Sequence, residues 1–339
     1  MKKEKNYPEE AERFFEHHCI KVNPQQTALR IDKFLIDRLP HVTRNKIQLA
    51  IKNELIYVNQ KPIKASYKVR PRDEIQVILS KAFSPTEVVS ENIPLAIVYE
   101  DESLLVVDKP AGMVVHPAYQ NWTGTLLNAL AYHMQLHPTM ENNENRPGLV
   151  HRIDKGTSGL LVIAKTEEST IALAKQFYEH SIERIYYALV WGTPAKEAGT
   201  IDVNIGRSPK DRRVMVAFPE GDIGKHAITH YKVIKRFQYV SLVQCQLETG
   251  RTHQIRAHMH YIGHPLFNDA RYGGDQILQG PRFSKYKAFI ENCFKHMPHQ
   301  ALHAQSLGFS HPVTQQLMYF ESDLPLNFKT VLEKWERYG

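Results

Sequence analysis

Long apolar runs are missing from this sequence: nothing approaches the roughly 18 consecutive apolar residues that a membrane helix needs. The amino-terminal stretch MKKEKNYPEEAERFFEHH likewise lacks the apolar segment of a secretory signal. A chain with neither feature is expected to be cytoplasmic and to have no membrane partner. Cysteine is scarce, and Cys19, Cys245 and Cys293 lie far apart with no C-x-x-C spacing. That pattern argues against a disulfide framework or a thiolate zinc site and fits a reducing compartment. The dinucleotide fingerprint G-x-G-x-x-G and the phosphate-binding P-loop are absent, so a nucleotide cofactor has no evident seat. H-E-x-x-H is absent too, and no internal repeat or low-complexity tract is visible.

What is present is a 339-residue chain, 42% hydrophobic, long enough for two domains and a short extension. Its charge is unevenly placed. From Thr27 to Leu79 there are eleven Lys or Arg against five Asp or Glu, a net +6 of the chain's formal +7. Within this segment Ile31, Phe34, Leu35 and Leu39 follow helical spacing up to Pro40, and Ile47, Ala50 and Ile51 follow it again after Thr43, a suitable N-cap. Arg44, Lys46 and Lys52 fall mainly off the second apolar stripe, leaving a cationic face for solvent or phosphate. LIYVNQKPIK then reads as strand, turn at Asn59 to Lys61 and return, and EIQVIL as a further strand.

The stretch 81–94, KAFSPTEVVSENIP, combines Pro, Ser and charge without periodicity and reads as a linker. The expected division is an extension over 1–26, a basic module over 27–80, the linker over 81–94 and a large domain over 95–339. In that domain apolar runs such as LLVVDKP, LLVIAKT, YYALVWG and VSLVQCQLE alternate with turns, and LLNALAYHM and IALAKQFYEHS have helical texture. The fold class expected is α+β: a mixed, largely antiparallel sheet with packed helices, plus a small α+β amino-terminal module. Residues 275–299 read as a less patterned insertion.

Chemistry concentrates in two blocks. HRIDKGTSGLLVIAKT puts Asp154 in a polar turn just before a buried strand, with Gly156 and Gly159 permitting a tight backbone and Thr157 and Ser158 able to stiffen it. A carboxylate fixed at a strand mouth can serve as a nucleophile if a nearby guanidinium, from Arg152 or a distant arginine, keeps it ionised. An aspartate that merely caps a turn would show the same local pattern. The second block, LETGRTHQIRAHMHYIGHPLFNDARYGG, carries Arg251 and Arg256 with His253, Gln254 and His258 interleaved, a density of donors that suits an anion. His253, His258 and His260 could be imagined on a metal, but no acidic or thiolate group completes a ligand set. No metal is expected.

RIDKFLIDRLPHVTRNKIQLAIKNELIYVNQKPIKASYKVRPRDEIQVIL resembles the S4 RNA-binding domain, with Thr43 where Ser is usual and Asn53 and Glu54 in a turn that often carries Gly. DKPAGMVVHP, GTLLNAL, HRIDKGTSGLLVIAKT, RIYYALVWG, GRTHQIRAHMHYIGHPLFNDARYGG and QALHAQSLGFSHP, in that order, resemble the RluA-type, or large-subunit rRNA, pseudouridine synthases. Gly156 replaces a frequent Asp or Glu, and His299 stands where Arg is common. The resemblance implies that Asp154 is the catalytic aspartate, Tyr186 the active-site tyrosine and Arg251 the basic partner of the aspartate. It implies substrate contacts from Arg152, which would fill the space of an extruded nucleotide, and from Thr157, His253 and Leu302. By the same resemblance Arg30, Arg44, Lys46 and Lys52 would contact structured RNA, most often ribosomal RNA, largely through phosphates. A cofactor-free monomer is expected. A non-catalytic RNA-binding protein of the same fold and a metal-dependent nuclease are the rival readings. Release of tritium from uracil carbon five with the strand intact separates all three.

Overall fold

The computed structural model describes residues 15–39, 42, 44–80, 88–117, 121–136 and 148–338. Pro40, Thr43 and residues 81–87 of the expected linker lie outside them.

The basic module is built from β1 (Phe15–Lys21), β2 (Leu29–Arg30), α1 (Ile31–Ile36), α2 (Arg44–Lys52), β3 (Ile56–Val58), β4 (Lys61–Pro62), β5 (Lys68–Val69) and β6 (Glu74–Ser80). Ile31, Phe34 and Leu35 of α1 and Ile47, Ala50 and Ile51 of α2 are buried, as their spacing predicts. The turn between β3 and β4 places Asn59 and Gln60 at φ 51° and 68°, the left-handed pair a two-residue hairpin demands. One boundary differs from the reading of the sequence. Residues 15–21, assigned to an extension, form β1 and pair antiparallel with β6 in a sheet of order β1-β6-β3-β4. The segment FEHHCIK is too polar for its strand periodicity to stand out, and its partner, β6, lies more than fifty residues on.

The large domain contains β7 (Ile97–Glu100), β8 (Leu104–Lys109), α3 (Leu126–Leu136), β9 (Gly148–Leu149), β10 (Ser158–Ala164), α4 (Glu167–Tyr178) and β11 (Glu183–Trp191). It continues with β12 (Ala198–Asp202), β13 (Asn204–Arg207), β14 (Met215–Phe218), β15 (Ile228–Arg236), β16 (Val240–Leu247) and α5 (Gln254–Tyr261). Last come α6 (Ser284–His296), β17 (Leu302–Ser310), β18 (Leu317–Glu321) and α7 (Leu326–Tyr338). Among the described residues the main sheet runs β12-β15-β16-β11-β17-β10-β8-β7, with β18 on β17 and β9 on β10, and β13 and β14 form a separate hairpin. This is the mixed, largely antiparallel α+β architecture, and β10 with β17 is its parallel pair. No helix among the described residues is long and apolar enough to cross a membrane.

Period-two alternation explains why LLVV and LLVI read as unbroken apolar runs: both faces are covered. Leu105, Val107, Leu161 and Ile163 join α3 on one side. Leu104, Val106, Leu160 and Val162 turn to the other, with Phe177 of α4, in an apolar cluster continuous with the core of the basic module. Two cross-module ion pairs, Lys52 with Glu168 at 3.2 Å and Lys175 with Glu54 at 3.3 Å, flank that contact. The expected unpatterned insertion 275–299 is corrected by α6, whose Tyr286, Ile290 and Cys293 pack with Trp335 of α7. Those three residues do follow helical spacing, but the exposed Lys287, Ala288, Glu291 and Asn292 between them dilute the stripe.

Candidate active site

The site lies where parallel β10 and β17 begin. Gly159 sits at φ 112°, and a Cβ there would stand 2.2 Å from the Ala304 carbonyl oxygen, so only glycine lets the two strands approach. The turn ahead of β10 is held on several sides. Thr157 N donates to Asp154 O at 3.0 Å, and Gly112 N donates to Lys155 O at 2.7 Å. Gln300 Nε2 donates to Thr157 Oγ1 at 3.2 Å, in the space a side chain at Gly156 would need. Beneath the turn the buried Lys109 ammonium donates to the carbonyls of Pro110, Met113 and Lys155 at 2.8, 2.9 and 3.4 Å. Burial pushes Lys109 down to about 7, against the opposing pull of Asp154.

Asp154 lies in the cleft in close contact with Arg256. Its side chain is 19% exposed, and its Oδ2 accepts a hydrogen bond from Arg256 Nη1 at 2.7 Å. Oδ1 stands 3.8 Å from His253 Nε2, beyond hydrogen-bond reach. Burial raises the carboxyl, but nearby positive charge, with Arg256 bonded directly, outweighs it and holds Asp154 below the usual carboxylate value. The histidine contributes little of that charge at neutral pH, because burial pushes His253 itself down to about 4. The guanidinium is therefore the counter-charge to credit. Arg256 is in turn oriented by Asp269, which accepts from its Nε and Nη2 at 2.7 and 2.8 Å, and it lies 5.0 Å over the Tyr272 ring.

Asp154, Tyr186, Arg152, Thr157, Arg251, His253 and Leu302 all line one cleft open to solvent. Tyr186 lies on the cleft side of β11, whereas Tyr187 packs in the aromatic cluster on the opposite face. The assignment of Arg251 as the basic partner is corrected: among the described residues the ion pair of Asp154 runs to Arg256 at 2.7 Å, and Arg251 Nε donates to His226 O at 2.9 Å. The cause is local. His253 adopts a left-handed conformation, φ 55°, immediately before α5, and Gln254 braces the corner by accepting from Arg251 N at 2.9 Å. The chain thus reverses between the two arginines, leaving Arg251 on the loop while the first turn of α5 carries Arg256 to Asp154. Asp269 and Lys109 had no signal of their own, whereas Arg256 stood in the donor-rich block.

The other assigned residues sit in the module. Arg30 and Arg44 both reach Asp32, with closest contacts of 3.1 and 3.0 Å, and Lys52 reaches Glu168. Asp32 is fully buried, yet those guanidinium hydrogen bonds overcome the burial and hold it at about 2. The side chain of Lys46 lies outside the described residues. His258 is committed to the core, bonded to Thr229 Oγ1 at 2.9 Å and Val203 O at 3.1 Å. Among the described residues no group of three His, Cys, Asp or Glu is placed to hold a metal ion.

Chemically the cleft offers one ionised carboxylate, the side chains of Tyr186 and Leu302, and the guanidinium groups of Arg152, Arg184, Arg251 and Arg256, a density of positive charge suited to a polyanion. Asp269 cannot act as a second catalytic acid of the glycosidase kind, since it is 1% exposed and spent on Arg256.

Comparison with known proteins gives a consistent picture. Residues 103–261 match the family described as RNA pseudouridylate synthase, and residues 29–75 match the S4 domain. An uncharacterized RNA pseudouridine synthase of Chlorobaculum parvum is 47% identical, over 93% of this chain and 96% of the relative. Ribosomal large subunit pseudouridine synthase D of Nitrosomonas europaea is 41% identical, over 90% of this chain and 84% of the relative. Among solved structures, human RNA pseudouridylate synthase domain containing 1 is similar with a TM-score of 0.53 and 25% identity, over 75% of this chain and 91% of that one.

Proposed function

The chain belongs to the RNA pseudouridylate synthase family, and from that premise we propose that it isomerises uridine in large-subunit ribosomal RNA with Asp154 as nucleophile and no cofactor. The reaction breaks the bond between ribose C1′ and uracil N1, turns the base and rejoins it through carbon five. Nothing is oxidised or reduced, so the chemistry itself asks for no electron carrier. It asks for a carboxylate beside the sugar, a pocket that retains free uracil, and somewhere for the carbon-five proton to go.

The single observation that carries this reading is the hold of Arg256 on one oxygen of Asp154. With Oδ2 engaged and the group ionised, Oδ1 is the oxygen turned to the substrate. Tyr186 offers a ring to stack on uracil and a hydroxyl to relay protons, with Leu302 against the other side of the base. Extracting the uridine from its stack costs a few kcal/mol, which pocket contacts and the insertion of Arg152 into the vacated space offset. Thr157 stiffens the Asp154 turn, and Arg251 with the Arg30, Arg44, Lys46 and Lys52 set supplies phosphate contacts.

The same proposal includes the organisation of the chain: an S4 module over residues 27–80 extended by the β1 strand, a linker over 81–94, a catalytic domain over 95–339, and a cytoplasmic monomer. Incubation with RNA tritiated at uracil carbon five tests the activity, the expected result being tritium release with the strand intact. Intact label, or strand cleavage, would refute it. Mapping pseudouridines in ribosomal RNA from cells with and without the gene tests the substrate, and an unchanged large-subunit map would overturn that part.

A further inference from the structure

Isomerisation must remove the hydrogen from carbon five after the new carbon–carbon bond forms, and the Asp154–Tyr186 pair leaves the acceptor undefined. A phenol accepts a proton well only once ionised, near pH 10. Asp154 is engaged with the sugar. The third group lining the same cleft with a basic lone pair is His253.

Its hydrogen bonds fix which nitrogen is free. Tyr272 Oη donates to Met215 O at 3.0 Å and accepts from Met215 N at 3.2 Å. The phenol has one hydrogen, and Met215 O takes it. The remaining contact, His253 Nδ1 to Tyr272 Oη at 3.1 Å, must therefore be donated by the imidazole. That leaves Nε2 unprotonated, on the side of the ring that stands 3.8 Å from Asp154 Oδ1. With Oδ1 as the attacking oxygen, C1′ must come against it and carbon five must come within bonding distance of C1′, so the leaving hydrogen would depart beside this nitrogen. The side chain is 10% exposed, so water competes poorly for it. The backbone at His253 is held at φ 55°, a strained conformation for a non-glycine residue that persists where the surroundings over-determine it.

We propose that His253 is the proton acceptor for carbon five of the substrate uridine, with Tyr272 as the positioning residue that fixes its tautomer. Oδ1 of Asp154 bonds to C1′ as the C1′–N1 bond breaks and uracil leaves with that electron pair; after the base turns, the C1′–C5 bond forms as the C1′–Oδ1 bond breaks and returns its pair to the carboxylate. The C5–H electron pair returns to the ring as its double bond is restored, and the proton passes to Nε2. N1, released from the sugar, gains one proton from His253 or from water, so the count closes with no redox change. The imidazolium formed in transit faces the Asp154 carboxylate, which stabilises it. The neutral starting state follows from burial, which holds His253 at about 4.

This inference rests on the uridine-isomerising reading, and a fluorine substitution separates the two. The full-length protein and its His253→Asn variant are compared in single turnover on a short RNA carrying uridine and on the same RNA carrying 5-fluorouridine, which has no carbon-five proton to lose. Asparagine can still donate to Tyr272. The expected result is a loss of about 10²-fold or more on uridine RNA, with RNA affinity unchanged. On 5-fluorouridine RNA, cleavage and rejoining should proceed at the parent rate. Tyr272→Phe, which keeps the ring and frees the tautomer, should give a smaller loss confined to uridine. It carries the test alone if His253→Asn does not fold. Equal slowing on both RNAs would place His253 at an earlier step and overturn the proposal, as would a parent-like rate on uridine. Failure of the parent itself on uridine would instead sink the functional reading.

Discussion

Replacing Arg256 by Gln should move the acid limb of the activity profile upward and weaken the fold together. The guanidinium serves two carboxylates at once, Asp154 at 2.7 Å and Asp269 through a fork of 2.7 and 2.8 Å. It is 6% exposed, so water cannot replace it. Breaking a buried pair from one side costs about 3–5 kcal/mol, a large part of the roughly 5–15 kcal/mol that holds a domain together. For catalysis the sign follows from the balance at Asp154. Its folded carboxyl lies below the ordinary value because positive charge outweighs burial. Its ionisation therefore stabilises the fold above the unfolded carboxylate pKa, and that contribution is lost as pH falls through the lower folded value. Without Arg256 the balance tips towards burial, and the limb should rise by about 1–3 pH units, the usual influence of an adjacent guanidinium. Arg256→Lys, which keeps the charge but not the fork, should fall between. The assay is kcat/KM against pH on one prefolded RNA, with urea melts of each variant in parallel. His253, at about 4, titrates in the same acid region, so the quantity read is the displacement between variants. A variant that keeps parent turnover and an unmoved limb would refute the claim that Arg256 is what ionises Asp154.

Asp154→Asn keeps the shape and removes the charge, so isomerisation should vanish while RNA binding survives; residual turnover by purified variant would remove the nucleophile assignment. Tyr186→Phe should bind RNA normally but turn over about 10²-fold more slowly if its hydroxyl relays protons, whereas Tyr187→Phe, on the far face of β11, should be near parent in the same single-turnover assay. Gly159→Ala combines a positive φ with a Cβ set 2.2 Å from Ala304 O, and should lower stability by about 2–6 kcal/mol in chemical denaturation.

The parts of the site that were legible in the sequence are those made by neighbours in the chain. Asp154 announces itself because a polar turn with two glycines precedes an apolar run, and the alternation of a strand puts Tyr186 and Tyr187 on opposite faces. The α1 and α2 helices of the module were legible for the same reason. What escaped was decided at a distance. Strand β1 exists because β6 offers it a partner. Arg251 and Arg256 are equivalent as text, and the choice between them depends on the left-handed corner at His253, which no residue preference advertises.

Asp269 shows why that choice matters. By taking Nε and Nη2 of Arg256 it leaves Nη1 to point at Asp154, so one carboxylate oxygen is tethered and the other stays open. A lysine could neutralise Asp154 but could not be aimed this way, since an ammonium presents no fixed fork. A single guanidinium held by one aspartate thus does two things for the other: it keeps the group charged in a place where burial opposes charge, and it leaves Oδ1 as the oxygen that the guanidinium does not hold.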